Sequence, residues 1–573
     1  MITAIAIENF KGVRERVEFQ LKPLTLLFGA NSAGKSTVLH ALQYAREVFL
    51  HHNLDADRTG VGGDFVELGG FGSFVYDHDL QRTVWLRLEL TGDEELQRSL
   101  ATRPQNDQLC EVDEHLGIGD KLSGFPFTFC QTANASVEVG VAWDFQHNVA
   151  YVRCYRLYFE KTLFAEILAE RGGERIVLNS LNIEHPCLTT FRDRDLRQDK
   201  TQPPIEELYE TPDSSLLQVS FRDTLYMPAH VEPGVEPNSG FQPIPLERHP
   251  DALPDALPRA HGEVVFASEG DGAEVRFELS TYWWGLRTDV TTELSRILIC
   301  PLDILRKRLS DMRYVGPLRT IPSRNYAPSK HADPSLWASG QAAWDLLFGA
   351  DENDETLVGR VSEWLSDEHR LDVGCRLRLR RYKELDLDDP MLLELMSERV
   401  VDNAASLWRA AVEHASTKTG LSIGLHRGSV QLHPRDLGAG VSQVVPVVVA
   451  AFADGNKLLM IEQPELHLHP RLQAELGDLF IEAALGETKH TVILETHSEL
   501  IPLRLMRRIR ETAEEKGCSD LPPITANDVA IYYVESYNSA TVVTPLELGK
   551  RGQLLTPWPE GFFEEGFRER FAE

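Results

Sequence analysis

The sequence predicts an α/β fold, a mixed β-sheet with helices, split by a long inserted β-rich and helical region. Three observations carry this. Gly29-Ala30-Asn31-Ser32-Ala33-Gly34-Lys35-Ser36 reads G-x-x-x-x-G-K-S between an apolar run, Leu24 to Phe28, and a helix-like run, Thr37 to Leu42. A second apolar run, Lys457 to Ile461, ends in the carboxylate of Glu462. A third, Thr491 to Leu494, leads into Glu495-Thr496-His497-Ser498.

Taken in order, Met1 to Glu8 alternates as a strand does and lacks the basic start and cleavage site of a signal peptide. Leu24 to Phe28 reads as a buried strand feeding the glycine-rich loop. Gly29 and Gly34 permit the tight turn and the approach of backbone N–H groups to phosphate oxygens. Lys35 can reach the β- and γ-phosphates, and the Ser36 hydroxyl can bind Mg²⁺. Strand before and helix after meet the context this motif needs, so nucleotide binding is expected. Asp64 to Phe71 reads as a turn-rich loop and Gln81 to Leu90 as a half-buried strand, completing an N-terminal part over residues 1–95.

Residues 96–310 read as an inserted, mostly β region with long loops. Strand-like runs (Val137 to Trp143, Val149 to Phe159, Val264 to Leu279) alternate with stretches rich in Asp, Gln and Pro. Residues 311–430 turn helical, with apolar spacing over Trp337 to Phe348, Thr356 to Asp367 and Met391 to Ser416. Within them Cys375 to Arg380 alternates as a strand, placing Arg376, Arg378 and Arg380 on one face. That face reads as solvated, with a phosphate- or partner-facing stripe as the alternative. Residues 431–510 hold the second part of the nucleotide site, and 511–573 a short C-terminal domain with a strand from Val529 to Glu535.

Bulk properties bound the function. The 573 residues suffice for more than one domain, and no run approaches the roughly twenty apolar residues of a membrane span. Seven cysteines without a C-x-x-C pair argue against a zinc ribbon or disulfide framework and point to a reducing cytoplasm. The formal charge of −30 repels nucleic acid unless cations cluster locally. Candidate clusters are Arg504, Arg507, Arg508 and Arg510 on a helix, Arg306-Lys307-Arg308, and Ile321 to Lys330. Each reads equally as ordinary surface.

The order of these pieces resembles the ATP-binding-cassette type of ATPase. Within it, the chain is similar to the branch holding the OLD nucleases, RecF and the SMC proteins. Ile7-Glu8-Asn9-Phe10-Lys11-Gly12 and Glu462-Gln463-Pro464-Glu465-Leu466-His467-Leu468-His469-Pro470 carry that likeness. Arg313 to Arg319 and Trp558 to Phe563 narrow it to bacterial predicted AAA-type ATPases with a short uncharacterised C-terminal domain. The likeness covers about residues 1–45, 313–326 and 436–567.

The resemblance implies an ABC-type ATPase head, with ATP and Mg²⁺ as cofactors. Gly29, Asn31, Ser32, Gly34, Lys35, Ser36 and Thr37 would hold phosphates, and Ser36 with Glu462 the Mg²⁺. Gly438, Gly440 and Ser442 would form a degenerate signature loop facing the nucleotide of a second copy, hence a homodimer or higher oligomer. His497 would be the switch histidine, while His467 and His469 would sit where the chain crosses the dimer interface. A metal site at those two histidines is the alternative, and it lacks a third ligand. A separately encoded effector, such as a nuclease, in antiviral defence or genome maintenance is the implied setting. DNA is a further candidate partner, and no membrane is expected.

One departure matters. The position after Glu462 ordinarily carries a glutamate that polarises the attacking water, and here it is Gln463. An amide orients water but accepts a proton poorly, and general-base help is worth about 10²–10⁴-fold in rate. Three readings stand open: slow hydrolysis with ATP as a dimerisation switch, Glu465 or Glu462 taking over the role, or binding without turnover. No second active site is expected. Glu535 stands alone after a strand with no Asp-x-Asp to follow, so no Toprim nuclease is foreseen.

Overall fold

The computed structural model describes residues 1–57, 67–101, 134–170, 175–182, 185, 244–245, 277–324, 326–329, 333–349, 355–384, 388, 390, 393, 404–425, 431–516, 520–538 and 540–558. The expected loops around 103–114, 198–212 and 232–258 lie outside these residues, apart from Ile244 and Pro245.

Two large sheets and one small one form the frame. Strands β1 (Ile2–Glu8) and β2 (Val17–Gln20) precede the loop-bearing strand β3 (Leu24–Gly29) and helix α1 (Ser36–Arg46). Next come β4 (Val84–Thr91), β5 (Asn134–Asp144), β6 (Val149–Phe159), β7 (Thr162–Glu170), β8 (Arg175–Leu181) and β9 (Ile244–Pro245). They form an antiparallel sheet in the order β2-β1-β4-β5-β6-β7-β8-β9. The strands expected between 96 and 310 therefore do not stand apart; they continue the sheet that β1 begins.

That stretch also holds an unexpected helix, α2 (Phe277–Ser310). The run expected to be extended from Val264 to Leu279 is helical from Phe277 on, and its residues 264–276 lie outside the described ones. Leu294, Ile297, Leu298, Leu302, Leu305 and Leu309 recur at helical spacing and are fully buried. That stripe, rather than local alternation, decides the element.

The second sheet runs β10 (Arg313–Val315), β14 (Leu458–Glu462), β15 (Thr491–Thr496), β3, β16 (Val529–Tyr537), β17 (Ala540–Leu546). All neighbours are parallel except the edge pair β16–β17. Such strands are buried on both faces and need continuous apolar sequence, which LTLLF, LLMI and VIL supply. Leu27, Met460, Ile493 and Tyr532 face a core shared with α1, α2 and the antiparallel sheet. Leu26, Phe28, Ile461, Leu494 and Tyr533 face a second core, closed by α3 (Ala439–Phe452), α4 (Pro470–Leu485) and α5 (Leu500–Ala513). The parallel sheet is thus the middle layer.

A third sheet joins β11 (Cys375–Glu384), β12 (Ser416–Leu425) and β13 (Gln431–Leu432). Arg376 and Arg378 lie on its exposed face, with Cys375 and Leu377 buried behind. Helices span Gln341–Gly349, Glu355–Ser366 and Ala404–His414. The helix expected to reach Ser416 stops at His414, because Ser416 opens β12 against Glu384.

Candidate functional site

The loop from Gly29 to Ser36 sits at the carboxyl end of β3 and opens into α1. Gly29 has φ +151°, and a Cβ there would lie 2.0 Å from the carbonyl oxygen of Val534 on β16. Gly34 has φ +97°, and its Cβ would meet the Thr541 hydroxyl at 2.4 Å. Both glycines are fixed by close approach as well as by φ. Asn31 and Ser32 are exposed on the rim, while Thr37 is buried. Lys35 is only 3% exposed, and its Nζ donates to the carbonyls of Gly29 (3.2 Å) and Ala30 (2.7 Å). Burial lowers its pKa, and the charges of Glu495 and Glu465 oppose that shift. No acid occupies the first turn of α1, leaving its positive end for an anion.

Strand β15 lies between β3 and β14, and its register sets Glu495 beside Glu462. Glu495 is the site residue the sequence reading missed. Its carboxylate is 3% exposed, hydrogen-bonds the Ser36 hydroxyl, and leaves Oε2 without a partner. The signal was present: the parallel neighbours LLMIE and TVILE end alike. Glu465 is also buried; its Oε1 accepts from the His497 N–H at 2.7 Å, and its Oε2 has no partner. Burial raises the pKa of both Glu495 and Glu465.

Glu462 accepts from the Tyr314 hydroxyl at 2.9 Å, with His40 Nε2 at 3.7 Å. Behind it Lys11 Nζ lies 2.5 Å from His40 Nδ1, so Lys11, His40 and Glu462 form one line. Burial pushes Lys11 down to about 8 and, with the Lys11 charge, His40 down to about 3. Glu462 is pushed up to about 7, first by burial and then by Glu495. The folded state therefore holds the Glu462 proton more tightly than the unfolded chain does. The stability linked to it is present at acid pH and is lost as pH rises through about 7. Between about pH 5 and 8 the melting temperature of the nucleotide-free protein should fall more steeply in wild type than in Glu462→Gln. Equal slopes would refute this assignment.

Three buried carboxylates, two of them with an unpartnered oxygen, face Lys35 on the loop side, with the charges of Lys11 and Arg319 also acting on Glu462. These residues fit Mg²⁺, which takes a hydroxyl and one or two carboxylates beside phosphate and water. Ser36, Glu495 and Glu462 are the side chains placed to hold it or its water shell.

Gln463 follows β14 in a left-handed turn, φ +43°, its N–H bonded to the Glu495 carbonyl at 2.8 Å. Its Nε2 stands 3.4 Å from His497 Nε2. Burial and the Lys35 charge lower the His497 pKa, and a backbone bond ties it to Gly29. Amide, imidazole and loop therefore converge. Gly438 caps α3 and is exposed, whereas Gly440 packs on the loop of His467, a Cβ there falling 2.6 Å from the His467 carbonyl. Ser442 lies inside the fold in the single chain. It is fully buried and donates to the Pro434 carbonyl at 2.9 Å, so its hydroxyl points inward. His467 and His469 are exposed; His469 Nδ1 accepts from the Arg471 N–H at the start of α4, a structural role. Among the described residues no group of three or more His, Cys, Asp or Glu is set to hold a metal.

The expected basic patches are largely neutralised in place. Arg504 pairs with Glu475 and Asp478, Arg508 with Asp478 and Glu511, and Arg507 with Glu511. Arg306 meets Asp303, Lys307 and Arg308 meet Glu95, and Arg324 meets Asp436. Among the described residues no helix is long and apolar enough to cross a membrane.

This arrangement defines a nucleotide site of the P-loop class, and the family matches agree. Residues 1–68 match an AAA ATPase domain. Residues 313–504 match an AAA domain family whose description also names the AbiEii toxin of type IV toxin–antitoxin systems. Residues 524–570 match a family described as a protein of unknown function (DUF3696). Two separate segments of the chain thus match AAA-type ATPase domain families. No curated protein matches it.

Among solved structures the chain is similar to an SMC head bound to the C-terminal winged-helix domain of ScpA (10% identity, 96% of this chain and 98% of that one, TM-score 0.36). It is similar to the SMC head domain of Thermotoga maritima (9% identity, 96% and 99%, TM-score 0.34). It is also similar to a Pyrococcus furiosus Smc head with an extended coiled coil (11% identity, 95% and 96%, TM-score 0.34). Likeness this distant carries no argument about function.

Proposed function

We propose that the chain is an ABC/SMC-like ATPase of the cytoplasm that binds ATP with Mg²⁺, turns it over slowly, and dimerises around it to signal to a partner protein. The observation that carries this is the meeting of Lys35, Ser36, Glu462 and Glu495 at one end of the parallel sheet. Lys35 would exchange the loop carbonyls it now bonds for phosphate oxygens. Mg²⁺, when bound, supplies the charge that offsets the developing negative charge on the phosphates. Gln463 and His497 would orient water and γ-phosphate. Glu465, with a raised pKa and a free Oε2, is the best placed proton acceptor. Buried free thiols at Cys154, Cys300 and Cys375 support a reducing compartment. A role in bacterial phage defence or genome maintenance, through a separately encoded effector, is part of this proposal and rests on the sequence resemblance. The paired arginines favour a protein partner over a direct DNA clamp.

Single-turnover hydrolysis tests it. Glu465→Gln should slow the step by about 10²–10⁴-fold, and Gln463→Glu should speed it. If Glu465→Gln abolishes turnover while Gln463→Glu leaves it unchanged, Gln463 is not what slows the enzyme. Because Gln463 is a poor base, a second reading stands: a nucleotide-gated scaffold. Wild type and Gln463→Glu both failing to hydrolyse bound ATP would establish that reading instead.

A further inference from the structure

Arg319 closes the stretch Arg313 to Arg319 and follows Leu318, which is 62% exposed, yet Arg319 itself is 4% exposed. Its guanidinium Nη2 donates to the carbonyls of Glu462 (2.7 Å) and Gln463 (3.2 Å). Its Nη1 donates to the Gln443 carbonyl at 3.3 Å. The Arg319 N–H donates to Gln443 Oε1 at 3.0 Å, and Gln443 Nε2 donates back to the Arg319 carbonyl at 2.5 Å. One residue thus ties the second turn of α3 to the turn that carries Gln463.

Burial pushes the Arg319 pKa down to about 10, and its Nε has no partner. A desolvated guanidinium with an orphaned donor is a poor way to gain stability, since apolar side chains of similar volume commonly serve better. What it supplies is direction. The Gln463 backbone sits at φ +43°, a region that persists in a non-glycine residue only when neighbours impose it. Arg319 holds the carbonyls on both sides of that backbone step, and the Glu495 carbonyl holds its N–H.

We propose that Arg319 is a positioning residue: it locks the turn bearing Gln463 to the start of α3, so that displacement of one is felt by the other. This rests on the ATPase reading only for its kinetic arm. Arg319 donates no hydrogen bond to the phosphate loop, so Arg319→Ala should leave equilibrium ATP affinity within about twofold while slowing single turnover by up to about 100-fold, the cost of a displacement near 1 Å. Arg319→Lys, a point charge without the fork, should recover part of the rate. Gln443→Ala, a milder change, should reproduce the defect, and the double variant should be no worse than Arg319→Ala.

Hydrogen exchange on nucleotide-free protein gives the second arm. Arg319→Ala and Gln443→Ala should each release the Gln463 amide and the amides of residues 441–443 together. Loss of ATP affinity and of thermal stability in parallel with rate would mark a merely structural arginine and overturn the proposal. So would release of only one of the two segments. Wild type without turnover would remove the ATPase reading alone, and the exchange result would then decide on Arg319.

Discussion

Replacing Glu495 by glutamine is expected to have two opposite effects. In nucleotide-free protein it removes one of three buried like charges, the one that raises Glu462, while keeping a side chain able to bond Ser36. The melting temperature should therefore rise. With ATP and Mg²⁺ present the same change removes a carboxylate that faces the metal's serine. Loss of such a partner typically costs about 10- to 100-fold in metal affinity. The Mg²⁺ concentration needed for half-maximal ATP binding should rise by that factor, while metal-free ATP binding stays level or improves. An unchanged Mg²⁺ requirement would remove Glu495 from the site.

Among the described glycines, Gly29→Ala should be the most damaging added methyl. The new Cβ would stand 2.0 Å from the Val534 carbonyl oxygen, at φ +151°. The backbone conformation costs about 1–3 kcal/mol for a residue with a side chain, and overpacking adds about 1–3 more. That is a large part of the roughly 5–15 kcal/mol that holds a domain folded. The protein should lose ATP binding and unfold at markedly lower temperature. Gly359→Ala is the matched control: Gly359 is exposed inside a helix with no atom near its missing Cβ. Alanine there should stabilise by about 0.5–1 kcal/mol. If both variants melt alike, crowding by β16 does not constrain the loop.

The elements that position the site were legible because their sequence signals are local. The apolar runs at β3, β14 and β15 need no knowledge of their neighbours to be read as buried strands. Glu495 was not legible, because its meaning lies in lateral register: it matters as the neighbour of Glu462, and strand order is a property of the sheet. The direction of the Ser442 hydroxyl was not legible either. Its spacing after Gly438 suits a signature loop, but the packing of α3 turns the hydroxyl toward Pro434. Arg504 and Arg508 of α5 read as part of a patch in one dimension and are paired in three with Glu475 and Asp478 on α4. Helix α2 was hidden because the polar stretches before it set the expectation for that region, although Leu294 to Leu309 carry buried residues at helical spacing.

The pairing of β3 with β15 on one side and β16 on the other bears on how the protein is made. The phosphate loop is synthesised well before the strands that flank it, which follow only after residue 490. Until then β3 has two open edges and an apolar sequence, a combination prone to wrong pairing. The loop's surroundings therefore form only once β15 and β16 have been made. A nascent chain halted before β16 lacks the strand whose Val534 carbonyl closes on Gly29, so the phosphate loop cannot take up this geometry.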